Sequence, residues 1–413
     1  MIKRIAGIIF IFFCTAVAWL ILGGTITART YSIDARLKER VASTWGAAQT
    51  QLPPTAHYNR MVEESEETVV DGKKQTRRVE RKLATPLPLE ATRAEVGLNL
   101  EHRQKGLLWY STYSVQFDGE YTFRNPTDQG QQVTFLFPFP AANSTYDNAV
   151  FLVDGQAVDM ETTPQGMQGS ATLPPRGTAL LKVGYSSRGL DQWSYRFGEA
   201  VSQVRDFRLV LRTNFDGFDF PDNTLSPAEK QQAVGGWELR WQYANLLSGV
   251  PIALGMPQKL QPGPLAGQIS FFAPVSLFFF FFLMFVITTL RGIELHPMNY
   301  FFLAGAFFAF HLLLAYLVDH ISIHQAFVIC SGVSIFLVVS YLRLVVGIRF
   351  AAVEAGISQF VYLVLFSYAF FFEGFTGLAI TVGAIVTLFV AMQMTGRIRW
   401  AEQFAKAAAK ASA

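Results

Sequence analysis

The feature that most limits this chain is a set of six apolar runs, each long enough for a helix to cross a bilayer. They occupy residues 5–22, 269–290, 298–318, 325–342, 352–372 and 375–395. An α-helix rises 1.5 Å per residue, so a hydrocarbon core of ~30 Å asks for about 20 apolar residues. In residues 298–318, Phe, Leu and Ala fill every side without alternation, as suits a helix among lipid and other helices. Pro297 sits at the start, where its missing N–H costs nothing, and Asp319-His320 closes the run. The five C-terminal runs are joined by short connections, which predicts an antiparallel bundle.

Charge placement orients these spans. Residues 27–268 carry 25 Lys/Arg against 26 Asp/Glu, a near balance that points away from a nucleic-acid partner. The other nine cations are Lys3, Arg4, Arg291, Arg343, Arg349, Arg397, Arg399, Lys406 and Lys410. If residues 27–268 face outward, all nine fall on the inner side and none in an outer loop. The positive-inside rule asks for this pattern. The expected topology has both termini cytoplasmic and the large polar segment across the membrane. The first run is too long for a cleaved leader and is followed by a poor cleavage site at Ile26-Thr27-Ala28, so it reads as an uncleaved anchor.

Five regions follow. Residues 1–26 form the anchor, 27–52 a juxtamembrane helix, 53–264 a β-rich domain, 265–396 a five-helix bundle and 397–413 a cytoplasmic tail. Ile33, Leu37 and Val41 give the juxtamembrane helix one apolar edge. Asp71-Gly72 is a hairpin turn signal between 61–70 and 73–83, with Glu63, Glu64, Glu66 and Glu67 set against Lys73, Lys74, Arg77 and Arg78. Cross-strand charge pairs contribute about 0.2–1 kcal/mol each. Strand patterns then recur at 95–101, 107–113, 115–123, 132–137, 149–154, 178–185, 193–197, 205–212 and 237–243, predicting sandwich-like antiparallel layers. Ser226-Pro227-Ala228-Glu229 reads as a capping box opening a short helix, and Pro251, Pro257, Pro262 and Pro264 as a stiff connection to the membrane. Both cysteines, Cys14 and Cys330, lie in apolar runs, so no disulfide staples the polar segment.

Three stretches together resemble the CreD family of bacterial inner-membrane proteins. They are residues 36–51 (RLKERVASTWGAAQTQ), residues 98–121 (LNLEHRQKGLLWYSTYSVQFDGEY), and His296-Pro297-Met298-Asn299-Tyr300 with Asp319-His320-Ile321 one helix later. The order of parts also matches: one helix, a large periplasmic domain, then a helical bundle. Gln51-Leu52-Pro53-Pro54 stands where the family has Gly-Pro, and the family's Trp-x-x-Pro-Ser-Phe is missing from the later polar segment. The resemblance implies the inner membrane of a Gram-negative bacterium and a theme of cell-envelope integrity. It implies no reaction.

No P-loop, GxGxxG, HExxH or GxSxG pattern occurs, which weighs against hydrolase and nucleotide-driven chemistry. The candidate functional groups are polar residues at the membrane. His311 lies in mid-span, where an ionisable group is a functional candidate by default, although a hydrogen-bonded neutral imidazole is the plainer reading. Asp319, His320 and His324 cluster at the outer mouth, with Glu373 expected at the same level. The four-residue spacing of the two histidines suits a divalent metal only if a third ligand joins them, so a solvated loop capping two helices is favoured. Glu354 and Arg343 are expected to pair, and Gly305 with Ala309 to give close helix packing. Phe278–Phe282 reads as lipid-facing bulk. In the β domain, Trp193, Tyr195, Trp237, Trp241 and Tyr243 alternate along two strands: a sandwich core first, an aromatic face for lipid or glycan second.

The expected function is non-enzymatic binding and anchoring in envelope integrity, with no cofactor. Transport or lipid handling is the alternative, and a periplasmic hydrolase the third reading. Expected partners are the phospholipid bilayer and an envelope component or membrane protein; self-association into a homo-oligomer is left open.

Overall fold

The computed structural model describes residues 2–396 except 71, 72, 106, 107, 143, 199–201 and 373, and leaves out the side chains of 2, 3, 32–36, 63–80 and 202. The Asp71-Gly72 turn, Glu373 and the cations of the tail therefore lie outside the described residues, as does the side chain of Ile33. The chain divides into two compact units: residues 1–36, 106–108 and 260–413, and residues 37–105 and 109–259.

The first unit is helical. α1 (Ile2–Trp45) runs on past the division. α2 (Pro262–Leu290), α3 (Pro297–Leu317), α4 (Ile323–Val346), α5 (Phe350–Phe371) and α6 (Thr376–Thr395) complete it. Within α1 it is Arg4–Tyr31 that is apolar, so among the described residues six helices are long and apolar enough to cross a membrane. This is a membrane protein with an inserted β-rich unit. Pro262 and Pro264 do not form a linker as expected; they fill the first turn of α2, where the N–H groups have no intrahelical partner to lose. α5 is irregular, with π-helical turns at Phe350–Ala355 and Phe360–Leu365 on either side of Gly356–Gln359.

α1 lies antiparallel to α2. Arg4 reaches Thr288, Phe12 meets Phe278 at 6.1 Å, and Thr30 abuts Gly263. The close approach depends on glycine: a Cβ at Gly263 would stand 2.7 Å from Thr30 Oγ1, and one at Gly267 3.3 Å from Thr27 Oγ1. Small residues four apart let helix backbones approach in lipid, where no hydrophobic drive exists between helices. The expected pair, Gly305 and Ala309, does not play this part. Gly305 is exposed, with nothing within 4 Å of the point a Cβ would occupy, because α3 turns its neighbour Ala306 inward instead.

The second unit is built of β1 (Gln49–Gln51), β2 (Thr55–Val70), β3 (Lys73–Pro86), β4 (Leu89–Lys105) and β5 (Leu108–Arg124). Then come β6 (Gln131–Pro138), β7 (Tyr146–Val153), β8 (Gln156–Ala157), β9 (Met160–Thr163), β10 (Gly166–Leu173), β11 (Thr178–Leu190) and β12 (Gln192–Tyr195). β13 (Ser202–Thr213), β14 (Glu229–Ala233), β15 (Gly236–Ser248) and β16 (Ile252–Gly255) close it. They form an eight-stranded sheet ordered β14-β15-β13-β4-β5-β11-β7-β8, a five-stranded sheet β3-β2-β6-β10-β9 and a three-stranded sheet β1-β12-β16. The pairings of β13 with β4 and of β1 with β12 are parallel, and the rest of the described ladders are antiparallel.

The core follows from period-two burial. Tyr113, Val115, Phe117, Gly119, Tyr121 and Phe123 of β5 point one way, and Val133, Phe135 and Phe137 of β6 meet them. Phe123 stands edge-on to Phe135 at 5.6 Å, and Phe117 stacks on Tyr185 at 5.2 Å. The two strands expected at 107–113 and 115–123 are one: no turn residue separates them, and β5 is continuous. Glu66 lies opposite Arg77 in the β2–β3 register. The helix expected after Ser226 is absent. Residues 229–233 pair as an edge strand with β15 through the two-residue turn Val234-Gly235, with Gly235 at φ +82°. That segment has no apolar helical face, so pairing with β15 satisfies its backbone better than an isolated turn of helix.

Residues 37–45 of α1 belong to this unit. Val41 is buried, Lys38 pairs with Asp191 at 2.7 Å, and the Arg103 guanidinium lies 3.5 Å over the Trp45 ring. Gln49 and Gln51 of β1 are buried. Gln49 Nε2 donates to Ser187 Oγ and the Arg188 carbonyl, both at 2.9 Å, and Tyr185 donates its hydroxyl to Gln51 Oε1 at 2.9 Å. Burial pushes the Tyr185 hydroxyl well above its ordinary pKa, so it stays a donor.

Candidate functional site along the third membrane helix

α3 carries polar groups at four heights, and three are bonded to a neighbouring helix. Asn299 Oδ1 accepts from the Tyr341 hydroxyl of α4 at 2.8 Å. The Ala306 carbonyl accepts from Ser334 Oγ of α4 at 2.6 Å, and Gln359 Nε2 of α5 donates to the same Ser334 oxygen at 2.8 Å. Beyond the helix end, Asp319 forms an ion pair with Arg29 of α1. Each bond ties α3 to a different partner or depth, and each contributes about 0.6 kcal/mol on average within a bilayer.

His311 lies roughly 12 Å along α3 from Asp319, at 1.5 Å per residue. Its side chain is fully buried, edge-on to the indole of Trp19 (5.7 Å) and to Phe310 (4.9 Å). Nδ1 lies 3.0 Å from the Phe307 carbonyl. A carbonyl accepts, so Nδ1 holds the proton and Nε2 presents a lone pair. Nε2 finds no partner among the described residues, nor does Gln359 Oε1. On the donor side, Trp19 Nε1, Ser270 Oγ and Tyr300 Oη are likewise buried and unpartnered there. These five buried polar atoms stand beside the bonds that hold the helices together.

Of the residues expected at the outer mouth, Asp319, His320 and His324 are described and Glu373 is not. Asp319 is half-buried against Arg29, a partner 290 residues away. His320 is exposed in the turn after α3, while His324 is exposed in the first turn of α4 and packs on Phe371 at 5.2 Å. A turn intervenes between the two histidines, so their spacing does not place both rings on one helical face, and no metal-holding group of three ligands occurs among the described residues. Glu354 pairs with Arg291, not with Arg343, because Arg291 at the end of α2 sits beside the first turn of α5. Phe278 and Phe282 face outward, but Phe280 and Phe281 are core residues, so the run is split by the helical period.

In the β unit, Trp193, Tyr195 and Trp241 are buried in the sandwich core, and Trp241 Nε1 donates to the Leu225 carbonyl at 2.9 Å. Trp237 is half-buried and donates to Asp216 at 2.7 Å; Tyr243 stacks on Phe207. Tyr195 also lines a cleft of about 210 Å³ with Pro54, Leu87, Phe197 and Arg205. Small-molecule pockets span about 300–1,000 Å³, so this cleft admits no more than a side chain or the end of an acyl chain.

The sequence of α2–α6 carries a family likeness. Residues 270–401 match the family of inner membrane protein CreD. Over this segment, about a third of the chain, the sequence is similar to that family. The matched segment takes in most of α2 and all of α3 to α6, and so includes His311, Asp319, Ser334 and Gln359. No curated protein matches the chain. Among solved structures, a candidate nutrient binding protein from Legionella pneumophila is 10% identical over 57% of this chain and 76% of that one, with a TM-score of 0.33. An M1 zinc metallopeptidase from Deinococcus radiodurans is 11% identical over 40% of this chain and 42% of that one, with a TM-score of 0.26. These similarities are too low to bear on function.

Sequence reasoning singles out His311 and Asp319 but misses Arg29, Ser334 and Gln359. Gln359 does leave a signal, as the one amide in the run 352–372. It lies between the two π-helical turns of α5, a distortion that recurs at functional sites.

Proposed function

We propose that this is a bacterial inner-membrane protein of cell-envelope integrity, with both termini cytoplasmic and the β unit periplasmic. The β unit binds an envelope component or a protein partner, and the helices anchor it. The observation that carries this reading is the match of residues 270–401 to inner membrane protein CreD. Orientation is supported by the nine cations of the short loops and tails, all on one side in this topology. Anchoring is supported by the use of α3's polar groups: Asn299, the Ala306 carbonyl and Asp319 all bond to neighbouring helices. A second reading, transport or lipid handling, is favoured by the unclaimed acceptors His311 Nε2 and Gln359 Oε1.

Complementation separates the two. In a strain lacking the protein and challenged with detergent, the full chain restores growth. A chain lacking residues 53–259 fails, while His311→Leu and Gln359→Leu restore growth at normal abundance. The reverse outcome, in which the membrane variants fail at normal abundance while the shortened chain succeeds, overturns the binding-and-anchoring reading in favour of the second.

A further inference from the structure

α1 and α2 touch closely near Gly23–Phe271 and Thr30–Gly263, and toward their other ends, where Phe12 meets Phe278 and Arg4 meets Thr288, their facing side chains leave a gap. Ile5, Ile9 and Phe12 form one stripe on α1, and Phe278, Phe282 and Phe285 form the facing stripe on α2; both have the 0, 4, 7 spacing of a single helical face. The gap between them is a groove of about 440 Å³, and every residue that lines it is apolar. Phe278 and Phe282 lie parallel, 7° apart, and make one wall flat. The volume falls within the range of small-molecule pockets. A groove of this kind accepts hydrocarbon and offers nothing to a polar solute.

One end of the groove is cationic. Arg4 sits where the apolar part of α1 begins, with its guanidinium 5.7 Å over the Phe285 ring. One terminal nitrogen donates to Thr288 Oγ1 at 3.1 Å, while the Thr288 hydroxyl itself is within 3.1 Å of the Phe285 carbonyl. Nε of Arg4 is shielded from solvent and has no acceptor among the described residues. A buried N–H on a cation without an acceptor is costly. The planar guanidinium edge matches two oxygens of a phosphate. An apolar groove that begins at an arginine at the end of a span has the polarity of an amphiphile: phosphate at the interface, chain in the hydrocarbon.

We propose that the α1–α2 groove is a binding site for one anionic phospholipid, its acyl chain along the Ile5–Phe12 and Phe278–Phe285 stripes and its phosphate on Arg4. An anionic headgroup is preferred over phosphatidylcholine, whose own ammonium competes with Arg4 for the phosphate. The site depends on neither the orientation nor the envelope role proposed above.

The test is native mass spectrometry of the full chain in detergent, mixed with equimolar phosphatidylglycerol and phosphatidylcholine of matched chains. The first lipid bound should be phosphatidylglycerol, preferred by about tenfold, the worth of one charge-assisted hydrogen bond. Arg4→Gln should abolish the preference. Arg4→Lys keeps the charge that guides insertion but lacks the two-donor edge, and should lose most of the preference while folding normally. Ile9→Trp, which fills the groove, should weaken both lipids together. Equal binding of the two lipids by the unaltered protein overturns the proposal. So does an Arg4→Lys protein with undiminished preference, or a dimer that carries no lipid because a second copy fills the groove.

Discussion

A Trp241→Ala variant should lose about 3–5 kcal/mol of stability in the β unit, the cost of emptying a large aromatic site in a packed core. Trp241 has no exposed surface, and its indole N–H is bound to the Leu225 carbonyl at 2.9 Å. The substitution therefore opens a cavity and also leaves that carbonyl without its donor. Leu239 of the same strand and Leu209 of β13 are buried in the same core, and a close-packed interior relaxes only partly into such a space. Denaturant unfolding of residues 37–259 followed by tryptophan fluorescence measures it. The fragment must begin before Gln49, since β1 pairs with β12 and buries two glutamines whose side chains bond to the unit. A loss under about 1 kcal/mol, the ordinary effect of a surface substitution, would show that Trp241 does not fill the core.

Gly263→Leu should destabilise the helical unit by about 1–3 kcal/mol, the usual cost of forcing extra carbon into a closed contact. The neighbour that a Cβ would strike, Thr30 Oγ1, is buried and already donates to the Ile26 carbonyl at 2.8 Å, so it has little room to rotate away. α1 would be pushed off α2, and with it Arg29 off Asp319. Gly305→Ala makes a sharp contrast. Nothing lies within 4 Å of that methyl, and replacing glycine in a helix interior should stabilise by about 0.5–1 kcal/mol. Thermal melting of the purified protein in detergent should therefore move in opposite directions for the two variants. Equal shifts would contradict the assignment of the close contact to Gly263.

These two variants also show what is legible in the sequence. The spans are legible because a helix in lipid is apolar on all sides, and a run of the right length has few other uses. The strands of the core are legible where burial alternates, as in β5 and β6. Position in the chain is no guide to partnership. Arg29 and Asp319 meet only because α1 packs beside α3, and no local pattern links residues 290 apart. Gly263 and Gly267 carry the spacing of a helix contact, but the prolines around them have the look of a linker while in fact opening a helix. Ser226 to Glu229 has the letters of a capping box without an apolar helical face behind it, and strand pairing prevails. At the candidate site, His311 announces itself as a charge-capable group in an apolar run. Its bond to its own helix, and the Ser334–Gln359 link below it, need the packed bundle.

The central claim, that the β unit stands on the periplasmic side of a multi-pass inner-membrane protein, is tested most directly by two fusions to alkaline phosphatase, which is active only outside the cytoplasm. One is joined after Gln261, between the β unit and α2, and the other after Lys406 in the tail. In the proposed topology all nine loop and tail cations lie on the cytoplasmic side, so the first fusion should be active and the second inactive at equal abundance. An inactive fusion at Gln261 together with an active one at Lys406 would contradict the orientation.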